Sequence, residues 1–171
     1  LIMKTMKYAM IVLLMSLTIA CNKSDDDGGE DPQVTTGTFK AQVDGGSFEG
    51  IEGTVVAQLS SGNMAISGGT NASENLQMII LGFDGTGTYP LNFTNIGTYS
   101  YLPDPNNPDP NTVVVYTTVG DAMGNNGEVK VSSYDGNIIK GTFTFTGFNL
   151  DDMSDTVSVT SGQFEIEVTQ Q

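Results

Sequence analysis

The chain contains no histidine, no arginine and no tryptophan, and only one cysteine among 171 residues. Each absence removes a class of function. Without histidine, the usual catalytic triads, the side chain that shuttles protons near neutral pH and the histidine metal sites are all excluded. Without arginine the chain lacks the planar fork that reads phosphate in pairs of hydrogen bonds. Twenty acids against six lysines leave a formal charge of −14, a surface that repels nucleic acids and anionic headgroups. The missing tryptophan counts against a strong carbohydrate-stacking platform. Leucine, lysine and alanine are sparse, and after residue 36 no window of helical length carries a 3.6-residue period. What is plentiful is glycine, 21 residues, together with serine and threonine, a composition of strands and turns.

Residues 1–20 form an expected signal peptide. Met3 is the expected start, Lys4 and Lys7 make a positive front, and an apolar run follows from Tyr8 to Ala20. That run is short of the ~20 residues a bilayer-spanning helix needs. It ends at Cys21. The order Thr18, Ile19, Ala20, Cys21 resembles the bacterial lipobox, with Thr18 where leucine is more usual, so Cys21 is the expected lipidation site and the membrane an expected partner. Residues 21–36 are charged and glycine-rich, too polar to bury surface, and are expected to be a flexible tether. Lys23 followed by Asp25, Asp26 and Asp27 resembles the signal that sends Bacteroidota lipoproteins to the outer face of the outer membrane, which implies cell-surface exposure.

From residue 37 to 171 the hydrophobic period is two. Phe39, Ala41 and Val43 share a face, Asp44, Gly45 and Gly46 make a turn, and Phe48 returns. Val55, Ala57 and Leu59 mark a strand, Met64 and Ile66 another. Leu76 to Phe83 is the most continuously apolar stretch and is expected at the centre, covered on both faces. Tyr89, Leu91 and Phe93 read as an inward row, Thr112 to Thr118 as a valine-rich strand. Val129 and Val131 alternate with Glu128 and Lys130; Phe143 and Phe145 alternate with Thr142, Thr144 and Thr146. Val157 and Val159 precede Phe164, Ile166 and Val168. These rows predict an all-β domain: one antiparallel β-sandwich or up-and-down barrel of about nine to ten strands.

The order Phe39 to Gly45, then Gly87-Thr88-Tyr89, then Gly141 to Phe145, then Ser161-Gly162-Gln163-Phe164 resembles a group of small Bacteroidota lipoproteins catalogued only as a domain of unknown function. The resemblance implies an all-β fold and an exported location. It transfers no active site.

No catalytic residue is expected, nor a cofactor, and the chain is not expected to be an enzyme. Paired carboxylates are the one general acid–base chemistry left, but Asp84, Asp121 and Asp135 fall on turns and Glu128, Glu165 and Glu167 on outward strand positions. The connection from Pro103 to Pro110 holds four prolines, which forbid a strand and stiffen a loop. Tyr99, Tyr101 and Tyr116 flank it and are the candidate ligand-binding residues, for a glycan or an envelope protein; a plain long hairpin tip is the alternative. Asp104, Asn106 and Asp109 in that loop, and Asp151, Asp152 and Asp155 in a later turn, are weak calcium candidates without the ligand spacing of an EF-hand. Asp155-Thr156-Val157 resembles a Bacteroidota O-glycosylation site, making Thr156 a candidate acceptor. The expected role is a surface-anchored, non-enzymatic binding module, the alternative a structural component of the envelope with no small ligand.

The anchor is directly testable. Cys21→Ser should release the protein from the membrane fraction or leave an unprocessed precursor, both visible by fractionation and gel mobility. Unchanged mobility and membrane association would remove the lipid anchor from the account.

Overall fold

The computed structural model describes residues 37–120 and 124–171. Their strands are β1 (Thr38–Val43), β2 (Gly46–Glu49), β3 (Val56–Ser60), β4 (Asn63–Gly69), β5 (Glu74–Ile80), β6 (Gly87–Pro90), β7 (Ile96–Tyr101), β8 (Val114–Thr117), β9 (Gly127–Tyr134), β10 (Ile138–Asn149) and β11 (Thr156–Gln170). The domain is all-β, as the period-two rows predict. Eleven strands appear among the described residues, one or two more than the rows suggest; β7, Ile96–Tyr101, is a strand that the inward rows leave out.

All eleven belong to one sheet, in the order β2-β1-β11-β3-β4-β5-β7-β8-β10-β9-β6, with a further pairing of β10 to β11. That extra pairing closes a circuit through β11, β3, β4, β5, β7, β8 and β10. Two long strands make the closure possible by changing partner along one edge. Within β10, Ile139 to Phe145 pair with β9, while Phe148 and Asn149 pair with β8. Within β11, Val159 to Glu165 pair with β1, and Val168 to Gln170 pair with β3. The β11–β3 contact is parallel, so the sheet is not wholly antiparallel as expected.

Central to this is an irregularity in β11. Lys40 and Gln42 of β1 face Gln163 and Thr160, so one β1 residue, Ala41, spans two on β11. On the other flank Phe143 and Phe145 face Gly162 and Val159, so Thr144 also spans two. The β11 strand therefore carries one extra residue against both neighbours, a β-bulge. Ser161 takes the strain, with φ 53°. Val157 and Val159 point inward before the bulge, and Gly162, Phe164 and Ile166 after it, while Thr160 and Ser161 are both exposed. Gly162 sits beneath Phe143, where a Cβ would come within 2.6 Å of the ring.

The core gathers inward rows from the whole circuit. Phe39 packs on Phe48 and Phe143 at ring-centre distances of 6.0 and 5.1 Å, and Phe143 on Phe164 at 6.4 Å. Phe39 also lies over Gly68 of β4, close enough that a Cβ there would be 2.7 Å from the ring. The β5 strand is sixth of eleven in the order, with Leu76, Met78 and Ile80 buried inward and Gln77 buried on the other face, but the apolar stretch leaves the strand after Ile80, and Leu81 is 47% exposed in the turn that follows.

Two further rows depart from expectation. Tyr89 is half-buried and Leu91 buried, but Phe93 is 57% exposed. The strand stops at Pro90, and the Asn92 carboxamide oxygen accepts the Thr94 amide at 2.7 Å, turning the chain before the alternation reaches Phe93. Thr112 is not in a strand: Asp109 caps a 3-10 turn over Pro110–Thr112, accepting the Asn111 amide, and β8 begins at Val114.

The inward–outward assignment of β10 has a clear consequence. Phe145 is 3% exposed and Thr144 lies on the solvent face. Phe145→Ala should cost ~3–5 kcal/mol, and Thr144→Ala within about 1 kcal/mol. Parallel denaturant melts check both, and similar small losses would contradict the register.

Candidate functional site

The three candidate tyrosines converge because β7 and β8 are adjacent. Tyr99 and Tyr101 are two apart and share the inward face of β7; Tyr116 pairs with Tyr99 across the β7–β8 ladder. Their rings stand 5.8 Å (Tyr99 to Tyr101) and 6.1 Å (Tyr99 to Tyr116) apart. They form one wall of a cleft of about 240 Å³. The opposite wall is the β1–β2 hairpin, with Val43, Asp44, Ser47 and Phe48, and the start of β11 at Val157. Asp44 and Gly45 form the two-residue turn of that hairpin, with φ 49° and 81°, the backbone that matches the twist of the flanking strands. The Asp44 carboxylate is tied down by the Ser158 amide at 2.8 Å, which locks the hairpin tip against β11.

Glu74, at the start of β5, completes the rim. It is in phase with Leu76, Met78 and Ile80 and thus on the core face, at the mouth rather than the interior. Its Oε1 accepts the Tyr99 hydroxyl at 2.7 Å and its Oε2 the Thr70 hydroxyl at 2.9 Å. In the same manner Asp155 Oδ2 accepts the Tyr116 hydroxyl and the Asn149 side-chain Nδ2, each at 2.8 Å. Burial, reinforced by these carboxylates, raises both phenols: Tyr116 is pushed up to about 12, and Tyr99 is raised as well. Both stay protonated through the physiological range. Tyr101 is half-buried and its hydroxyl has no hydrogen-bond partner among the described residues. Of the lysines among the described residues, Lys40, Lys130 and Lys140, none lines the cleft. Lys40 and Lys140 instead make exposed pairs with Glu49 and Glu165 on the outer face.

The calcium candidates are engaged in their own turns. Asp104 Oδ1 accepts the amides of Asn106 and Asn107, and Asp109 Oδ1 the amide and side chain of Asn111. Asp152 Oδ1 accepts the Ser154 hydroxyl and amide, and these bonds hold its carboxyl below the usual range. The Asn111 bonds do the same for Asp109. Asp151 lies in the same exposed turn as Asp152. Among the described residues no group of three or more acids, cysteines or histidines is placed to hold a metal ion. Thr156 is exposed at the first position of β11, opposite Phe148. Asp84, Asp135, Glu128, Glu165 and Glu167 are exposed. Cys21, the signal-peptide and tether segments and Asp121 lie outside the described residues.

Asp44, Glu74 and Phe48 escaped the sequence reading of the site. Only Glu74 carried a local sign, a carboxylate in phase with an apolar row; the others arrive through the pairing of β1 with β11, which no local pattern reveals.

A one-sheet β domain with an aromatic, acid-rimmed cleft at one end defines the class of this protein. The chain belongs to the family described as a domain of unknown function (DUF6252), whose model matches residues 35–166 and so covers all but the last few residues of the strand system. No curated protein matches the chain.

The raised phenols make stability depend on alkaline pH. The folded state holds the Tyr116 proton more tightly than the unfolded chain, whose phenol has the ordinary value near 10. Its contribution is complete below about pH 10 and is lost as pH rises toward 12. Urea melts at about pH 9 and about pH 11 should show a smaller loss in Tyr116→Phe than in the parent. An identical loss in both would mean that this phenol is not held in its neutral form.

Proposed function

We propose that this protein is an exported lipoprotein, acylated at Cys21, held on the outer membrane and displayed at the cell surface. Its β domain acts there as a non-enzymatic binding module for a glycan or an envelope protein. The observation that carries this reading is the convergence of Tyr99, Tyr101 and Tyr116 on one cleft that also contains Glu74. Amphipathic rings offering flat faces, with fixed acceptors beside them, are the usual equipment of a recognition surface. The chain path supports display. The described domain begins at Gly37, and the cleft lies beyond Val43 at the other end of β1, roughly 20 Å along the strand at ~3.3 Å per residue.

A structural role in the envelope has its own support. The row Val56, Ser67, Gln77, Thr98 and Thr117, on the face opposite the core rows, crosses five neighbouring strands without a charge on a chain of formal charge −14, and Gln77, Thr98 and Thr117 in it are buried. Covering such a row desolvates no ions.

A glycan and peptide panel applied to the full chain in nanodiscs decides between the two. The binding reading expects a ligand whose affinity falls roughly tenfold or more, at least about 1.4 kcal/mol, in Tyr101→Ala. It expects no change in Thr144→Ala. A panel without any binder, or binding indifferent to Tyr101→Ala, would favour the structural role.

A further inference from the structure

We infer that the cleft receives the basic side chain of an extended polypeptide laid along the free edge of β2, an inference that rests on the cleft being a binding site. A count of donors and acceptors points there first. A phenol has one hydrogen to give, and Tyr99 and Tyr116 have each given theirs to a carboxylate. Each oxygen of Glu74 accepts one hydrogen bond and keeps a lone pair. Apart from the Tyr101 hydroxyl, which can donate or accept, what the cleft still presents to a ligand is acceptor lone pairs, ring faces and the negative charges of Glu74 and Asp44, with no lysine among the described residues of its lining. An ammonium or guanidinium group supplies the missing donors and the opposite charge, and is attracted to the ring faces as well. An anion is repelled, and a neutral hydroxyl brings one donor and no charge. The volume, about 240 Å³, suits a single side chain rather than a chain of sugars.

The β2 strand supplies the backbone half of the argument. It stands at one end of the strand order and, among the described residues, pairs only with β1. In this two-residue hairpin Val43–Gly46 and Ala41–Phe48 are the hydrogen-bonded pairs, as the Gly50 amide to Phe39 carbonyl bond at 2.8 Å continues. The amides and carbonyls of Ser47 and Glu49 therefore point away from β1, toward the open edge. Ser47 also lines the cleft. A strand added at this edge pairs with Ser47 and Glu49, and alternate side chains fall on the Phe48 face, where the cleft opens.

The test uses the full chain in detergent micelles and a capped heptapeptide of threonine and valine with one central lysine. Its acetyl-lysine counterpart, 5-aminopentanol as a free amine and a neutral oligosaccharide serve as comparisons, all read by amide chemical shifts. The lysine peptide should move Ser47, Glu49, Glu74 and Tyr101 together. Acetylation, or Glu74→Gln in the protein, should weaken it at least tenfold, as should raising the salt concentration. Equal binding of the acetylated peptide overturns the inference, and so does free amine binding as tightly as the peptide, since the edge would then contribute nothing. Shifts at Tyr101 and Glu74 with the oligosaccharide but not with the lysine peptide overturn the inference while leaving the cleft a binding site. No shift with any probe overturns both.

Discussion

One extra residue in β11 sets the geometry of the domain. A strand flanked on both sides normally keeps a single parity from end to end, since a one-residue slip exchanges its two faces. Here Val157 and Val159 face inward at odd positions and Phe164 and Ile166 at even ones, and Ser161 absorbs the difference at φ 53°. Because Ala41 and Thr144 both sit opposite the bulge, the neighbours β1 and β10 accommodate it at the same level. The bend and added twist that accompany a bulge let the far end of β11 leave β1 and pair with β3. Without that change of partner the two halves of the sheet would lose one of the junctions that close the circuit.

The cleft follows from the same arrangement. It lies where the early half of β11, holding the β1–β2 hairpin, meets β5, β7 and β8 across the core. The inward rows that fill the interior with phenylalanine, leucine and isoleucine end there in Tyr99, Tyr101, Tyr116 and Glu74. The phenols reconcile the two environments: ring bodies buried with the core, hydroxyl groups satisfied by Glu74 and Asp155 at the rim. Among the described residues no buried side-chain polar atom is left without a partner, so the acids at the mouth stabilise the tyrosines as well as charging the entrance.

Much of the fold was legible because solvent on one side of a strand forces alternation. Phe143 with Phe145, Val129 with Val131 and the first part of the central apolar stretch, Leu76 to Ile80, read correctly from residue type alone, whereas Leu81 at its far end is exposed. Even the bulge left a trace, in the change of parity between Val159 and Phe164. Phe93 misled, because alternation carries no information once a turn begins, and the turn there is fixed by Asn92 rather than by glycine. The strand order and the parallel β11–β3 contact were not legible, since pairing between distant segments depends on the whole circuit and not on any window. For the site the same division holds. The tyrosines were visible as aromatics flanking a proline-rich loop, whereas Asp44 reaches the cleft only through long-range pairing, anchored by the Ser158 amide 114 positions away.

Deleting Ser161 tests the governing role of the bulge most directly. The account predicts that the deletion mutant, with β11 forced into a single parity, loses cooperative unfolding and its dispersed amide spectrum, because either Val157 and Val159 or Phe164 and Ile166 must turn to solvent. A deletion mutant that melts cooperatively near the parent midpoint, with Phe164 still protected, would contradict it.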